Sequence, residues 1–85
     1  MTERALNKWQ IYRHFKGNYY LVIGEAEHTE TKENLVIYVA LYGDNKVYAR
    51  PKEMFLSRVD KVKYPKAKAK WRMTPVNIEK GAKIE

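Results

Sequence analysis

Apolar and polar positions alternate most regularly between residues 20 and 42. The run YLVIGEAEH and the run LVIYVALY are separated there by the polar segment TETKEN. Both runs are rich in β-branched and aromatic residues at every second position, which is typical of β-strands. A short polar segment between two such runs predicts a β-hairpin. We expect this hairpin to form the centre of the fold.

Gly24 interrupts the first strand of this hairpin, which is predicted over residues 19–28. The side chains on one face are apolar before Gly24 and become acidic after it, at Glu25 and Glu27. A glycine in the middle of a strand often marks a bend or a bulge. We therefore predict that the strand curls at Gly24, as a small barrel requires, and that Ala26 points inward beyond the bend.

Shorter apolar segments predict the rest of the sheet. The strands are expected at residues 11–15, 19–28, 35–42, 47–50 and 55–59. Pro51 ends the fourth strand because proline cannot donate to a strand ladder, and residues 51–54 are predicted to form one helical turn. This order predicts a mainly β fold, a small five-stranded SH3-like barrel. An OB-fold is the alternative, but its helix would fall where this chain has only Gly43-Asp44-Asn45.

The two ends of the chain extend this predicted barrel. Residues 1–10 are expected to form a short N-terminal helical turn, with Trp9 packed in the core rather than stacked on a ligand. Residues 1–60 are predicted to be the barrel domain, and residues 61–85 a basic C-terminal extension. Its lysine-alanine alternation indicates an extended arm or a linker, and Val76 and Ile78 are candidates for a short edge strand.

The positive charge is concentrated in this C-terminal extension. The net charge is +7; residues 1–60 hold nine basic against eight acidic residues, and residues 61–85 hold eight against two. Such a segment attracts polyanions, although it could equally be a solvated tail that aids solubility. The candidate nucleic-acid contacts are Lys61, Lys63, Lys66, Lys68, Lys70 and Arg72.

The chain contains no cysteine, which excludes disulfides, thiolate zinc sites and cysteine nucleophiles and fits a cytoplasmic location. The first ten residues lack the apolar run of a signal peptide, and no window approaches the ~20 apolar residues of a membrane span. We therefore expect a soluble cytoplasmic protein without a membrane partner.

His28 and Glu30 have the H-x-E spacing found in zinc deaminases, but those enzymes also need a P-C-x-x-C motif. With His14 they are numerically sufficient for a metal site, yet no closely spaced pair of ligands supports one. We favour hydrogen bonding within the hairpin loop, together with Thr29 and Thr31. The sequence therefore predicts no metal, no cofactor and no enzymatic activity.

Arg50 and Glu53 flank Pro51. The arginine is expected to pair with the carboxylate and fix the helical turn. The alternative is that its planar guanidinium binds a phosphate or carboxylate ligand.

Tyrosine is unusually frequent, with seven residues in the chain. Tyr20 and Tyr38 are assigned mainly to the core, and Tyr12, Tyr42 and Tyr48 are the better surface candidates. Exposed rings on a small barrel can stack on nucleic-acid bases or surround a cation.

The segments YRHFKG, YLVIGEAEHTET, LVIYVALYG and RPKEMF together resemble a small bacterial family known as domain of unknown function 1653. The resemblance covers about residues 11–60. It implies those domain limits and a bacterial origin, and it implies no activity.

These observations predict a non-catalytic binding module whose partner is RNA or DNA. The alternative, favoured by the nearly neutral charge of residues 1–60, is a protein- or peptide-interaction module of SH3-like type. The candidate ligand-binding residues are Tyr12, His14, Lys16, His28, Glu30, Tyr42, Tyr48 and Arg50.

Overall fold

The computed structural model describes residues 6–76, which form one antiparallel sheet and a short helix. The elements are β1 (Ile11–His14), β2 (Tyr19–Glu27), β3 (Asn34–Ala40), β4 (Val47–Pro51), α1 (Lys52–Phe55) and β5 (Met73–Pro75). The strand order is β4-β3-β2-β1-β5, so β4 and β5 lie at the edges. The predicted mainly β fold is confirmed, but the sheet is open and does not close into a barrel. No helix within the described range is long and apolar enough to cross a membrane.

The β2–β3 hairpin contains the predicted irregularity at Gly24. Val22 pairs with Tyr38, whereas Gly24 pairs with Ile37, so one extra residue is inserted in β2. A one-residue insertion exchanges the two faces of a strand. Beyond the bulge Glu25 reaches Lys52 of α1, with 3.2 Å between the carboxylate and the ammonium. The expectation that Ala26 points inward is therefore wrong, and Ala26 is exposed.

The core lies on one face of the sheet, which we call the inner face because α1 packs against it. Its buried cluster consists of Tyr12, Val22, Val36, Tyr38, Phe55 and Met73. Phe55 is fully buried, and its ring meets the rings of Tyr12 and Tyr38 edge-on at 5.2 Å each. The helical turn predicted after Pro51 is thus confirmed and anchors the core through Phe55.

The predicted fifth strand at residues 55–59 is wrong. Phe55 belongs to α1, and Arg58 forms only an isolated bridge with Trp71. The fifth strand instead comes from beyond Asp60 and pairs with β1, placing Met73 opposite His14. The backbone N–H of Val76 continues this pairing by donating to Ile11, and Ile78 lies outside the described residues.

The lysine-rich segment between α1 and β5 folds back on itself; we call residues 60–72 the lysine loop. The Asp60 carboxylate accepts hydrogen bonds from the backbone N–H groups of Val62 and Lys63 at 2.9 and 3.2 Å. The Lys61 ammonium donates to the carbonyl groups of Ala67 and Ala69. These internal bonds return the chain to the sheet, so the segment is a loop rather than an extended arm.

The predicted N-terminal helical turn is not confirmed. Residues 1–5 lie outside the described residues, and residues 6–10 form a turn in which Trp9 has a positive φ of 65°. The indole of Trp9 is 64% exposed, so the prediction that it packs in the core is wrong. The Trp9 backbone is held by its N–H, which donates to the carbonyl of Val22 at 2.7 Å.

Candidate functional site

Aromatic rings follow one another across the inner face and the turn after β1. We call this set the aromatic row; its members are Tyr64, Phe15, His14, Tyr20, Tyr42, Tyr38 and Tyr48. Tyr64 and His14 lie on either side of Phe15, with ring centroids 5.0 and 4.7 Å away. The His14 ring is 6.3 Å from that of Tyr20. The first half of the row therefore joins the lysine loop to the sheet.

Tyr20 connects this half to the second half of the row. Its ring lies 5.6 Å from that of Tyr42 and 5.4 Å from that of Tyr38. Tyr38 is in turn 5.7 Å from Tyr48 on the edge strand β4. Ring contacts thus run without a gap from the lysine loop to β4.

Strand register explains why these rings meet. Tyr20 lies opposite Tyr12 on β1, and Tyr38 lies opposite Tyr48 on β4. Directly paired residues in antiparallel strands point to the same face of the sheet. The turn after β1 is closed by Gly17, whose φ of 117° is a conformation that favours glycine.

Exposure increases toward the β4 end of the row. Tyr38 is 5% exposed, whereas Tyr42 and Tyr48 are 41% and 39% exposed. A shallow groove of about 200 Å³ lies beside the two exposed rings and is also lined by Asp44 and Lys46. These two tyrosines are therefore available to a ligand.

The hydroxyl groups of Tyr20 and Tyr42 are hydrogen-bonded to each other at 2.8 Å. Burial and this bond raise the pKa of Tyr20 to about 12. The phenol consequently stays protonated at neutral pH and adds no negative charge to the row.

Two arginines are held in place beside the row. Arg50 donates from Nε to the Tyr38 hydroxyl at 3.1 Å, and Arg72 donates from Nε to the Ser57 hydroxyl at 3.2 Å. Ser57 in turn donates to the carbonyl of Met54, which fixes its orientation. Among the described residues, Arg50 does not form the ion pair with Glu53 expected from the sequence.

Two lysines flank the other end of the row. The ammonium groups of Lys16 and Lys63 lie 5.1 and 5.5 Å from the ring centre of Tyr64, within the range of cation–π attraction. Hydrogen bonding to Lys16 holds the pKa of the Tyr64 phenol below its ordinary value, and the positive charges of Lys16 and Lys63 act in the same direction. Cations therefore accompany the rings at both ends.

His14 is neutral at physiological pH. Its Nδ1 accepts a hydrogen bond from the backbone N–H of Lys16 at 3.1 Å, so the ring proton is assigned to Nε2. Burial lowers the pKa of His14 to about 4, and the charges of Arg50, Arg72 and Lys16 act in the same direction. The ring therefore offers an N–H donor without a further positive charge.

This lowered pKa predicts a loss of stability in acid. In the unfolded chain His14 gains a proton below its ordinary pKa of 6.5, whereas in the folded protein it stays neutral down to about pH 4. The contribution of His14 to the free energy of unfolding is therefore fully present above pH 6.5 and is lost as the pH falls toward 4. We expect the free energy of unfolding to fall by about 1–2 kcal/mol across this pH range, after allowing for solvent screening. Histidine NMR titration should place the pKa near 4, and H14Q should flatten stability across this window. A His14 pKa near 6.5 would contradict the arrangement.

His28 and Glu30 lie in the β2–β3 hairpin loop, at the opposite end of β2 from His14. The Nδ1 atom of His28 accepts from the backbone N–H groups of Glu30 and Thr31 at 3.2 and 3.3 Å, and the Thr31 hydroxyl accepts from that of Glu33. The predicted loop role of His28 is confirmed. Within residues 6–76 no group of three or more histidine and acidic side chains is placed to hold a metal ion.

Tyr12 is part of the core and not of the surface. Its side chain is 1% exposed, so its prediction as a surface residue is wrong. α1 covers it through Phe55, and β5, which precedes the edge strand suggested at Val76 and Ile78, pairs with β1 beside it. Its hydroxyl has no hydrogen-bond partner among the described residues.

The structure thus brings together a subset of the residues predicted from the sequence. These residues are His14, Lys16, Tyr42, Tyr48 and Arg50. Sequence reasoning missed Phe15 and Tyr64 and assigned Arg72 only to the basic extension. The sequence signal that could have identified Tyr64 is Asp60, whose carboxylate accepts a backbone hydrogen bond from Val62 and begins a turn. This turn places the ring of Tyr64 against that of Phe15.

The other lysine-loop candidates are placed differently. Lys61 donates within the loop, and Lys70 lies 5.1 Å from the ring centre of Trp71. Lys66 and Lys68 are exposed on the loop. Both lysines can attract polyanions non-specifically, but among the described contacts neither lysine touches a ring of the aromatic row.

Two larger grooves lie away from the row. One of about 440 Å³ is lined by Leu6, Lys8 and the bulged part of β2, and one of about 370 Å³ lies beside α1 and includes Glu33 and Glu53. Each mixes apolar, basic and acidic groups without a row of rings. The aromatic row is therefore the stronger candidate for a ligand-binding site, although the groove beside it is smaller than these two.

Comparison with known proteins adds a family to this geometry. The model of a family described as protein of unknown function, DUF1653, matches residues 10–73. A crystal structure of a DUF1653 protein from Bordetella bronchiseptica is similar, with 29% identity and a TM-score of 0.68 over 82% of this chain and 87% of that chain. No curated protein matches the sequence. The family match confirms the resemblance seen in the sequence, and it extends beyond residue 60 through the lysine loop. The chain therefore belongs to the DUF1653 family.

Proposed function

We propose that this protein is a non-catalytic module that binds single-stranded nucleic acid along the aromatic row. The observation that carries the proposal is the unbroken series of rings with cations beside it. Successive unpaired bases stack on aromatic side chains, and each such contact contributes about 1–3 kcal/mol. Duplex bases are already stacked on each other, so a single strand fits this surface better.

The charge distribution supports the same ligand. Arg50, Arg72, Lys16 and Lys63 lie beside the rings and can neutralise phosphates. The acidic residues of the β2–β3 hairpin loop are at the far end of the sheet, and Asp44 lines the groove near Tyr42. Glu25 lies on the inner face two strands across from Arg50, but it is paired with Lys52. A strand lying along the row would therefore meet mostly positive charge.

Salt dependence tests this proposal. Fluorescence anisotropy should show binding of labelled single-stranded RNA or DNA at low salt. Neutralising about three to four phosphates gives a log–log slope of about −2 to −3, at ~0.7 per phosphate for single strands. The absence of binding at low salt would refute the proposal.

A matched variant separates the row from the lysine loop. K66Q/K68Q removes two exposed charges that have no contact with the rings, and it should weaken binding only slightly. This variant is preferable to truncation after Asp60, which would also remove β5. A complete loss of binding in K66Q/K68Q would assign the binding to the loop instead.

A peptide-interaction module is the second candidate, and the open edge strand β4 favours it. Val47 is 59% exposed on this strand, which pairs with β3 on one side only among the described residues. An extended peptide can add to such an edge through backbone hydrogen bonds. Protection of the β4 amides from hydrogen exchange by a protein partner, with no binding of oligonucleotides, would support this alternative.

A further inference from the structure

Arg50 and Arg72 keep most of their donors available. Each guanidinium has five N–H donors, and the side-chain hydrogen bond found for each arginine within residues 6–76 uses Nε. The partners of those bonds, Tyr38 and Ser57, are themselves fixed by packing and by hydrogen bonding. Each arginine is therefore oriented through Nε, and among the described contacts its two terminal nitrogens have no hydrogen-bond partner and can bind a ligand.

Strand pairing and side-chain contacts link the two arginines to His14 from different parts of the fold. Arg72 directly precedes Met73, which is paired with His14 across β1 and β5. Arg50 is bonded to Tyr38, whose ring contacts Tyr20, and Tyr20 contacts His14. The charges of both arginines act on His14, as does that of Lys16. Arg50, Arg72 and His14 are partly buried, whereas Lys16 is exposed. Solvent therefore screens the charges of the two arginines incompletely.

We propose that Arg50, Arg72 and His14 form a subsite for a terminal phosphate monoester of the bound strand. This inference rests on the proposed function and names the part of the ligand that the subsite recognises. A phosphate monoester carries a charge of about −1.5 to −2 at pH 7, whereas a diester within the strand carries −1. Two guanidinium groups can each bind phosphate oxygens in a bidentate manner, and the neutral Nε2–H of His14 supplies another donor.

End-modified oligonucleotides test the subsite. One sequence, labelled at an internal position, is prepared with a 5′-phosphate, with a 3′-phosphate and with hydroxyl groups at both ends. At least one phosphorylated form should bind about tenfold tighter than the hydroxyl form. R72K and R50K should lose this preference although they keep the charge, because lysine lacks the planar fork. K66Q is the matched control and should retain it.

The outcomes separate the subsite from the proposed function. Equal affinity for all three oligonucleotides, or a preference that persists in both R50K and R72K, overturns the subsite while leaving strand binding intact. If no oligonucleotide binds, a nucleoside monophosphate is titrated while His14 is followed by NMR. A rise in the pKa of His14 supports the subsite, since a bound anion offsets the nearby cations. An unchanged value overturns it.

Discussion

Replacing Phe55 with alanine is expected to lower the free energy of unfolding by about 3–5 kcal/mol. The ring is fully buried, and it fills the space between Tyr12 and Tyr38 on the inner face. Because α1 has only four residues, packing of this ring is the main interaction that holds it on the sheet. At about 0.05–0.15 kcal/mol per residue, an 85-residue domain has a total stability of about 4–13 kcal/mol, so F55A should lose a large part of it and unfold at a much lower denaturant concentration.

Chemical denaturation followed by circular dichroism measures this effect. Met54 in the same helix provides the matched control, because its side chain is 47% exposed. M54A should change stability by no more than about 0.5 kcal/mol. Equal effects of F55A and M54A would show that α1 does not anchor the core.

Removing the two exposed rings of the aromatic row should cause the largest loss of binding. Tyr42 and Tyr48 are both about two-fifths exposed at the β4 end of the row. At about 1–3 kcal/mol per stacked base, Y42A/Y48A should weaken binding of a single strand by roughly a hundredfold. The fold should be retained, because neither ring belongs to the buried cluster. Anisotropy titrations of wild type and variant at equal salt measure the change.

Tyr19 supplies the control for this variant. It is 45% exposed and adjacent to Tyr20 in β2, but neighbouring residues of a strand face opposite sides of the sheet. Y19A should therefore bind as wild type does, and Y42F/Y48F, which keeps both rings, should bind nearly as well. If Y19A loses as much affinity as Y42A/Y48A, the inner face is not the binding surface.

Local chemistry was sufficient to predict the central hairpin from the sequence. The β-branched runs predicted β2 and β3, and Gly24 marked the bulge because a residue without a side chain weakens a regular strand. Pro51 likewise predicted the end of β4 and the helical turn after it. Each of these features depends on residues close together in the chain.

Long-range pairing was not predictable in the same way. β5 has three residues, one of them Pro75, and its place beside β1 depends on a loop of more than ten residues that brings it back. Apolar residues at every second position from Phe55 to Val59 are typical of a strand. Both residues are buried, but Phe55 belongs to α1 and Val59 lies in the segment after it. Because the sequence pattern does not reveal that β5 pairs with β1, it could not show that Tyr12 is covered.

The candidate site was predicted in part, where its residues lie on strands that the sequence pattern predicts. His14, Tyr48 and Arg50 were identified because their residue types are suited to ligand contacts. Tyr64 and Arg72 were not joined to them, because only the folded lysine loop places these side chains beside β1. The continuity of the row therefore became visible only with the tertiary structure.

Chemical-shift mapping with a single-stranded oligonucleotide tests the central claim most directly. In a ¹⁵N-labelled sample, binding along the aromatic row should perturb the backbone amides of His14, Lys16, Tyr20, Tyr42, Tyr48 and Arg72 and leave those of the β2–β3 hairpin loop unchanged. Perturbations confined to residues 61–70 or to the opposite face of the sheet, or none at all at low salt, would contradict the account.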